Sequence, residues 1–215
     1  MMFLERIYTK ILETFFYLLY HQFAWAYDSV ANIVSLGQWK NWVYCILPYI
    51  SGNKILELGF GPGYLQMKLV QGRYPQVIGV DSSPYMSRLA TRRMLKENRI
   101  LKLSIAYAQA LPFPNEYFQQ VVSTFPSEYV TDPKTIAEVK RVLSPYGQWI
   151  ILPGIWITGK SIPDRFLRAL FNITNQTPNT IGKFMPIYQQ AGFEVEINLV
   201  HSSTWKCEII RCVKN

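Results

Sequence analysis

Three glycines at alternate positions, Gly59, Gly61 and Gly63, connect a short apolar segment to a helical one. Glycine adopts positive φ angles readily and, having no Cβ atom, lets a ligand approach the backbone closely. A strand that turns into a helix through such a loop presents backbone N–H groups at the edge of a sheet. We therefore expect this turn to lie against a bound ligand.

From residue 51 onward, short apolar segments alternate with helical ones. Such alternation predicts an α/β fold with a doubly wound, mostly parallel sheet that helices cover on both faces. The predicted strands are 54–58, 76–81, 101–107, 120–124, 148–152, 192–200 and 204–213, and the predicted helices are 63–71, 84–98, 131–143, 164–173 and 180–191.

The first 50 residues follow a different pattern. Apolar residues recur with a helical period from residue 3 to residue 26, which predicts an amphipathic helix, and a second helix is expected near residues 30–47. We predict an N-terminal helical lid that caps the substrate (1–50) and a cofactor-binding domain (51–215) with an insertion near 154–191. The lid could close a hydrophobic pocket, lie on a membrane, or only pack on the sheet.

An acidic residue follows the glycine turn at the end of the second predicted strand. Asp81 lies 18 residues after Gly63, where a carboxylate can accept hydrogen bonds from both ribose hydroxyls of an adenosine. In the Gly-x-Gly-x-x-Gly pattern of dinucleotide sites the third glycine would be residue 64, which is Tyr. A dinucleotide is therefore disfavoured. The structural alternative is that the glycines serve only a tight turn and Asp81 caps a helix.

These residues resemble the class I S-adenosylmethionine (SAM) dependent methyltransferases of the methyltransferase type 11 kind. Residues 55–65 and 79–82 look like the first two motifs of that family, and residues 108–114, 118–125 and 138–147 look like the later ones. The resemblance implies SAM as cofactor and a Rossmann-like sheet of seven strands, the last antiparallel.

The resemblance also implies which residues contact SAM. Tyr107 and Gln119 stand where the family usually has Asp, so Gln109 would have to replace the first of these acids at the adenine amino group. The implied contacts are Glu57 with the methionine amino group through water, Gly59, Gly61 and Gly63 with methionine and ribose, Asp81 with ribose, Ser82 with the adenine edge, Ala108 and Gln109 with the adenine amidine, and Ser123 or Thr124 with the methionine end.

The N-terminal segment is similar to a narrower group, the ubiquinone and menaquinone biosynthesis C-methyltransferases. The similarity rests on residues 23–28, which end in Tyr27 and Asp28, on residues 35–37, and on the Trp39 to Trp42 segment. It implies that Tyr27 folds over the cofactor as part of the lid.

Methyl transfer from a sulfonium is an in-line displacement, so it demands alignment and desolvation rather than a fixed catalytic triad. Candidate acid/base residues are Glu128 and Tyr129, which follow the fourth predicted strand, and His21 in the N-terminal helix. Glu128 could instead begin the next helix, Tyr129 could pack in the core, and His21 could lie on the polar edge of its helix. The sequence has no metal-binding or acyl-transfer motif, so no metal is expected.

The chain carries 22 Lys and Arg against 14 Asp and Glu, a net charge of +8. This charge favours anionic surroundings. Because no Asn-Pro-Pro-Tyr or Asp-Pro-Pro-Tyr follows the fourth strand and no cysteine follows a proline, nucleic acid is a disfavoured substrate. A basic stripe could contact phospholipid headgroups or RNA, or be an ordinary solvated face; it comprises Arg88, Arg92, Arg93, Lys96, Arg99 and Lys102.

Together these observations predict methyl transfer to a small, hydrophobic or lipid-like acceptor. The alternative is a non-catalytic SAM-fold binding or membrane-surface module. Three widely spaced cysteines, without a signal-peptide pattern before them, and an uncharged stretch of only 14 residues at 14–27 lead us to expect a reduced, cytoplasmic protein without a transmembrane helix. Peripheral contact with the inner face of a membrane stays open, as does the oligomeric state.

Overall fold

The computed structural model describes residues 27–72, 74, 76–97, 102–173 and 185–215. The helices are α1 Tyr27–Val34, α2 Trp39–Tyr44, α3 Tyr64–Gln71, α4 Pro84–Lys96, α5 Pro133–Val142, α6 Ile162–Ile173 and α7 Met185–Gln190, with 3-10 turns at Leu47–Tyr49 and Glu128–Thr131. The strands are β1 Lys54–Leu58, β2 Gln76–Asp81, β3 Lys102–Ile105, β4 Phe118–Thr124, β5 Leu143–Leu152, β6 Trp156–Ile157, β7 Phe193–His201 and β8 Trp205–Lys214.

All eight strands join one sheet in the order β3-β2-β1-β4-β5-β8, with β6 and β7 both pairing with β8. The strands β1 to β5 pair in parallel, whereas β8 runs antiparallel to β5, β6 and β7. The predicted fold class, a mostly parallel sheet with the last strand antiparallel, is confirmed. The eighth strand, β6, was not predicted because a two-residue pairing after Pro153 and Gly154 leaves no hydrophobic pattern in the sequence.

The strand order places the carboxyl end of β1 at a crevice. β1 pairs with β2 on one side and with β4 on the other, so the chain reverses its direction of winding at this strand. In open α/β sheets, ligands bind outside the carboxyl ends of the strands at such a point. The glycine turn that follows β1 occupies this position.

The N-terminal helical region differs from the prediction of one helix at 30–47. It consists of α1, α2 and a 3-10 turn, because Leu36 and Gly37 adopt φ angles of 50° and 78° that end α1. The backbone N–H of Trp39 donates to Ser35 Oγ at 3.0 Å and so caps the entry to α2. A left-handed pair of residues cannot continue a helix.

Two large hydrophobic clusters and a small third one, around Ala31 and Met86, form the core of the described residues. One large cluster contains Trp149 and Tyr188, whose rings meet edge to face with centroids 5.5 Å apart. The other large cluster combines Trp42 and Ile46 from the N-terminal region with Ile55 of β1 and further residues of the sheet and its helices. The described part of the segment 27–50 therefore packs into the same core as the sheet, and the domain boundary at residue 51 stays a prediction.

Candidate functional site

The glycine turn has three left-handed residues, with φ angles of 76° at Gly59, 51° at Gly61 and 80° at Gly63. A Cβ at Gly59 would collide with the Tyr129 hydroxyl, and a Cβ at Gly63 would lie 2.8 Å from Ala90 Cβ. A Cβ at Gly61 would meet no atom of the described residues within 4 Å. Two of the glycines are thus required by packing, whereas the space above Gly61 is open to a ligand.

Asp81, at the end of β2, connects the turn to the start of the next helix. Its Oδ2 accepts a hydrogen bond from the Gly61 backbone N–H at 2.8 Å, and its Oδ1 accepts one from the Ser83 N–H at 2.8 Å. The N-cap of α4 is Ser83, whose Oγ accepts from Met86 N–H. Each carboxylate oxygen can accept more than one hydrogen bond, so Asp81 can fix the turn and also face a ligand above Gly61.

Glu57 lies beneath the turn in β1 and is only 1% exposed. Burial raises the pKa of its carboxyl well above the ordinary value; hydrogen bonds from Gln66 oppose the shift and the negative charge of Asp81 adds to it. Its Oε2 has no hydrogen-bond partner among the described residues. A buried acceptor without a partner is costly in an isolated protein, and a cationic ligand group would satisfy it.

The region implied for adenine lies after β3. Ala108 is buried, Tyr107 is 71% exposed, and Ser82 is exposed. Gln109 Nε2 donates to Asp132 Oδ2 at 2.8 Å. That bond fixes the Gln109 amide and leaves its carbonyl oxygen as an acceptor. Asp132 was not among the predicted site residues, although its position before Pro133 is typical of a helix N-cap.

The two residues proposed for the methionine end have different surroundings. Ser123 is fully buried, and its Oγ accepts a hydrogen bond from Trp149 Nε1 at 3.1 Å. Thr124, the last residue of β4, is half-buried at the carboxyl edge of the sheet. Of the two, Thr124 is the better placed to contact a ligand.

The two described catalytic candidates, Tyr129 and Glu128, have different surroundings. Tyr129 is half-buried and donates from its hydroxyl to the Leu58 carbonyl oxygen at 2.8 Å, which favours a role in supporting the glycine turn. Glu128 is exposed and begins the 3-10 turn after β4. His21 lies outside the described residues, and of Tyr27 only its backbone position, at the start of α1, is described.

A pair of aromatic rings lies beside the carboxyl end of β4. Trp39 and Phe125 stack with their centroids 4.7 Å apart and an interplanar angle of 29°, and both rings are only half-buried. Phe125 directly follows Thr124 and has a φ of 48°. Sequence patterns did not predict this pair because the rings come from distant segments that meet only in the fold.

Within the described ranges, no cluster of His, Cys, Asp and Glu could hold a metal ion. None of the helices in those ranges combines the length and hydrophobicity needed to cross a bilayer. The site is therefore built from backbone N–H groups, two carboxyls, an amide and aromatic rings.

A family model described as "Methyltransferase domain" matches residues 55–147. The demethylmenaquinone methyltransferase of Symbiobacterium thermophilum is 31% identical over 142 residues, which cover 62% of this chain and 57% of that protein. The ubiquinone/menaquinone biosynthesis C-methyltransferase of Chromobacterium violaceum is 30% identical over 149 residues, which cover 66% of this chain and 59% of that protein. The chain thus spans less than two thirds of the length of these relatives.

Two solved structures show the same fold. A possible histamine N-methyltransferase of Thermotoga maritima superposes with a TM-score of 0.62 at 19% identity, covering 92% of this chain and 98% of that one. The phosphoethanolamine N-methyltransferase 2 of Haemonchus contortus, solved with SAM, superposes with a TM-score of 0.61 at 17% identity. The superposition covers 83% of this chain and 53% of that one. Over residues 55–147 the chain therefore carries a methyltransferase domain, and its motifs and fold agree with the class I SAM-dependent type.

Proposed function

We propose that this protein transfers the methyl group of SAM to a small hydrophobic acceptor that carries a planar ring, as a hydroquinone does. The observation that carries the proposal is the half-buried stack of Trp39 on Phe125 beside Thr124. Aromatic side chains that are half-buried at the ligand edge of a sheet offer a flat apolar wall.

The cofactor side of the site is consistent with SAM. Open space lies above Gly61, and Asp81 accepts the Gly61 N–H at its rim. Below it, Glu57 has a buried carboxyl oxygen without a partner in the described region, which the methionine ammonium could satisfy directly or through water. A dinucleotide lacks such a cation at this position.

SAM supplies an electrophilic methyl group on its sulfonium. In the displacement, a bond forms between the acceptor atom and the methyl carbon while the carbon–sulfur bond breaks and its electrons stay on sulfur. The protein has to align the acceptor and exclude water, a task suited to Trp39 and Phe125. If the acceptor atom is a ring carbon, its proton must leave afterwards, and the exposed Glu128 carboxylate is the candidate to receive it.

A quinone-type acceptor is favoured by the names of the relatives at 30–31% identity, which methylate ubiquinone or menaquinone precursors by their descriptions. The remaining wall of the pocket would come from the predicted insertion at 154–191. In its described part, Trp156 packs partly buried against the core, whereas Phe166 of α6 is 68% exposed.

The test is methyl transfer from labelled SAM to a demethylated hydroquinone with a short isoprenoid tail, kept reduced, with the product identified by mass spectrometry. Phe125→Leu should raise the KM for the hydroquinone by about three- to tenfold, the worth of one aromatic contact, and leave SAM affinity unchanged. Tyr146→Ala, which removes an aromatic ring that is 80% exposed near the start of β5, is the matched control. Asp81→Ala should weaken SAM binding itself.

Two outcomes would count against the proposal. SAM binding without transfer to any hydroquinone would favour a non-catalytic binding protein, and transfer to polar amines alone would remove the quinone-type acceptor. Absence of SAM binding in the intact protein would overturn the cofactor assignment as well.

We further propose peripheral contact with the anionic inner face of a membrane, from which a lipid-like acceptor would be drawn. Support comes from the outer face of α4, where exposed Arg88, Arg92 and Lys96 alternate with Tyr85 and Leu95, which are 41% and 66% exposed. Basic residues mixed with exposed apolar ones suit an anionic lipid surface.

Vesicles of phosphatidylcholine with and without phosphatidylglycerol test this contact by co-sedimentation. Arg88→Glu combined with Arg92→Glu should abolish salt-sensitive binding to the anionic vesicles. The pair Lys134→Glu and Lys160→Glu makes the same change of charge at other exposed positions and should bind nearly as well as the natural protein. Equal loss in both pairs would indicate attraction by net charge alone.

A further inference from the structure

Three side chains from three helices meet behind the glycine turn. Asp28, in the first turn of α1, accepts a hydrogen bond from the Tyr64 hydroxyl at 2.7 Å on one carboxylate oxygen. Its other oxygen pairs with Arg93 of α4. Asp28 thus joins the first described helix to both helices that flank the cofactor turn.

Arg93 extends this connection to the turn itself. Its Nη1 donates to the carbonyl oxygen of Pro62, the residue between Gly61 and Gly63. The guanidinium also lies over the Tyr64 ring, with its Cζ 4.0 Å from the ring centroid. A single arginine therefore holds the backbone of the turn, an aromatic face and the Asp28 carboxylate at once.

Arg93 is the buried partner of this pair: its side chain is 14% exposed, whereas that of Asp28 is 42% exposed. Removing Asp28 would therefore leave a largely buried guanidinium without a compensating charge. Without Asp28, the Arg93 guanidinium would be drawn toward solvent and its hydrogen bond to Pro62 would weaken.

We propose that Asp28 is a positioning residue that couples α1 to the shape of the glycine turn through Arg93, so that SAM affinity depends on a residue that does not touch SAM. The inference rests on the proposed cofactor site. Coupling of this kind is carried by contiguous ion pairs and hydrogen bonds.

Calorimetry with S-adenosylhomocysteine (SAH), the demethylated product, tests the coupling. Asp28→Asn should weaken SAH binding by about five- to fiftyfold, the usual range of coupling between sites. Tyr64→Phe should weaken it less, and the double variant should lose less than the product of the two single losses, since both remove the same link. Glu97→Gln, the same acid-to-amide change at an exposed position just after α4, is the matched control.

A second readout separates coupling from a merely structural role. Without ligand, Asp28→Asn should unfold at nearly the same temperature as the natural protein, because the Asp28 side chain is partly exposed, whereas its affinity for SAH falls. Asp28→Glu, which keeps the charge, should restore much of the affinity. If Asp28→Asn does not fold, Tyr64→Phe and Asp28→Glu carry the test.

The outcomes are distinct. Natural SAH affinity in Asp28→Asn would overturn the proposal, and so would losses that multiply independently in the double variant. If the natural protein does not bind SAH at all, the failure lies in the proposed cofactor site and overturns this inference with it.

Discussion

The Sγ atoms of Cys45 and Cys207 lie 3.5 Å apart, although 162 residues separate them along the chain. Cys45 follows α2, whereas Cys207 is fully buried in β8. The hydrogen bond from Cys45 lowers the pKa of Cys207, and the same bond together with burial raises the pKa of Cys45. The two thiols are close enough for a small movement to join them, because a disulfide needs a sulfur separation of about 2 Å.

Mild oxidation should therefore link Cys45 to Cys207. With oxidised glutathione as the oxidant, two protein thiols become one disulfide and two molecules of reduced glutathione are released. The cross-link should stabilise the protein by about 2–4 kcal/mol. Non-reducing peptide mapping and thermal unfolding measure this, and Cys45→Ser should abolish it.

Cys212 is the internal control for this experiment. It is buried in the same strand, and burial raises its pKa to about 12, so it should stay reduced and resist alkylation. Linkage through Cys212 instead would contradict the observed placement of the thiols.

Alanine substitutions at Gly61 and Gly63 should have different effects. The first should mainly prevent ligand binding, whereas the second should mainly lower the stability of the protein. Gly61→Ala meets no neighbour within 4 Å among the described residues, so it should cost only about 1–2 kcal/mol for its left-handed backbone, yet block SAH binding by filling the ligand space. Gly63→Ala adds a clash with Ala90 at 2.8 Å and should destabilise the protein by about 2–4 kcal/mol in total. Denaturant unfolding and calorimetry separate these effects. Gly61→Ala that binds SAH normally would show that the cofactor does not lie there.

Glutamine at position 57 should alter how stability depends on pH. Burial raises the pKa of Glu57 in the folded protein, so the folded state binds this proton more tightly than the unfolded chain. The associated stability is present below the ordinary pKa of a glutamic acid and is lost as pH rises toward the raised value. Over the pH range above the ordinary pKa of a glutamic acid, Glu57→Gln should therefore gain stability relative to the natural protein.

Thermal unfolding across this pH range measures the difference, with the exposed Glu97→Gln as control. The same Glu57→Gln protein should bind SAH more weakly, since the neutral amide cannot compensate the methionine ammonium. Parallel stability curves for the two proteins would mean that Glu57 is already ionised in the folded state.

Substitutions of Asp132 should distinguish its role as the N-cap of α5 from its role in holding Gln109 at the cofactor site. Asp132 accepts hydrogen bonds from Lys134 N–H and from Gln109 Nε2. Asp132→Ser keeps an N-cap hydroxyl but loses the hold on Gln109, whereas Asp132→Ala loses both and should cost about 1 kcal/mol more. Both should reduce the preference for SAH over its inosine analogue, which lacks the adenine amino group, by about three- to tenfold.

Competition binding with the two ligands measures that preference. Gln109→Leu should reduce it to the same extent without destabilising α5. An unchanged preference in all three variants would place the adenine contact elsewhere, for example at Ser82.

The sheet and the cofactor turn could be predicted because their signals are local. Apolar runs mark β1 and β2, and the glycines with Asp81 follow at fixed spacing after them. The Asp28 to Arg93 and Gln109 to Asp132 contacts join residues 65 and 23 positions apart and depend on how helices pack against the sheet. No periodicity in the sequence carries that information.

The lack of a local signal also explains the smaller differences between the prediction and the structure. The helix expected at 30–47 is interrupted because Leu36 takes a left-handed conformation that a leucine does not signal. Of the two candidates for the methionine end, Ser123 is fully buried and its Oγ accepts a hydrogen bond from the indole N–H of Trp149, a burial that the sequence does not signal. The roles of Glu128 and His21 stay predictions.

Gln119, where the family resemblance implies an aspartate, acts together with Gln120 at the entrance to β1. Gln119 Oε1 accepts from the Asn53 backbone N–H, while Gln120 accepts from Ser51 N–H and donates to the Tyr49 carbonyl oxygen. β4 therefore fastens the segment that enters β1. A foreign N-terminal region grafted onto this fold should therefore join it before Tyr49, with both glutamines kept, so that the contacts at the entrance to β1 stay intact.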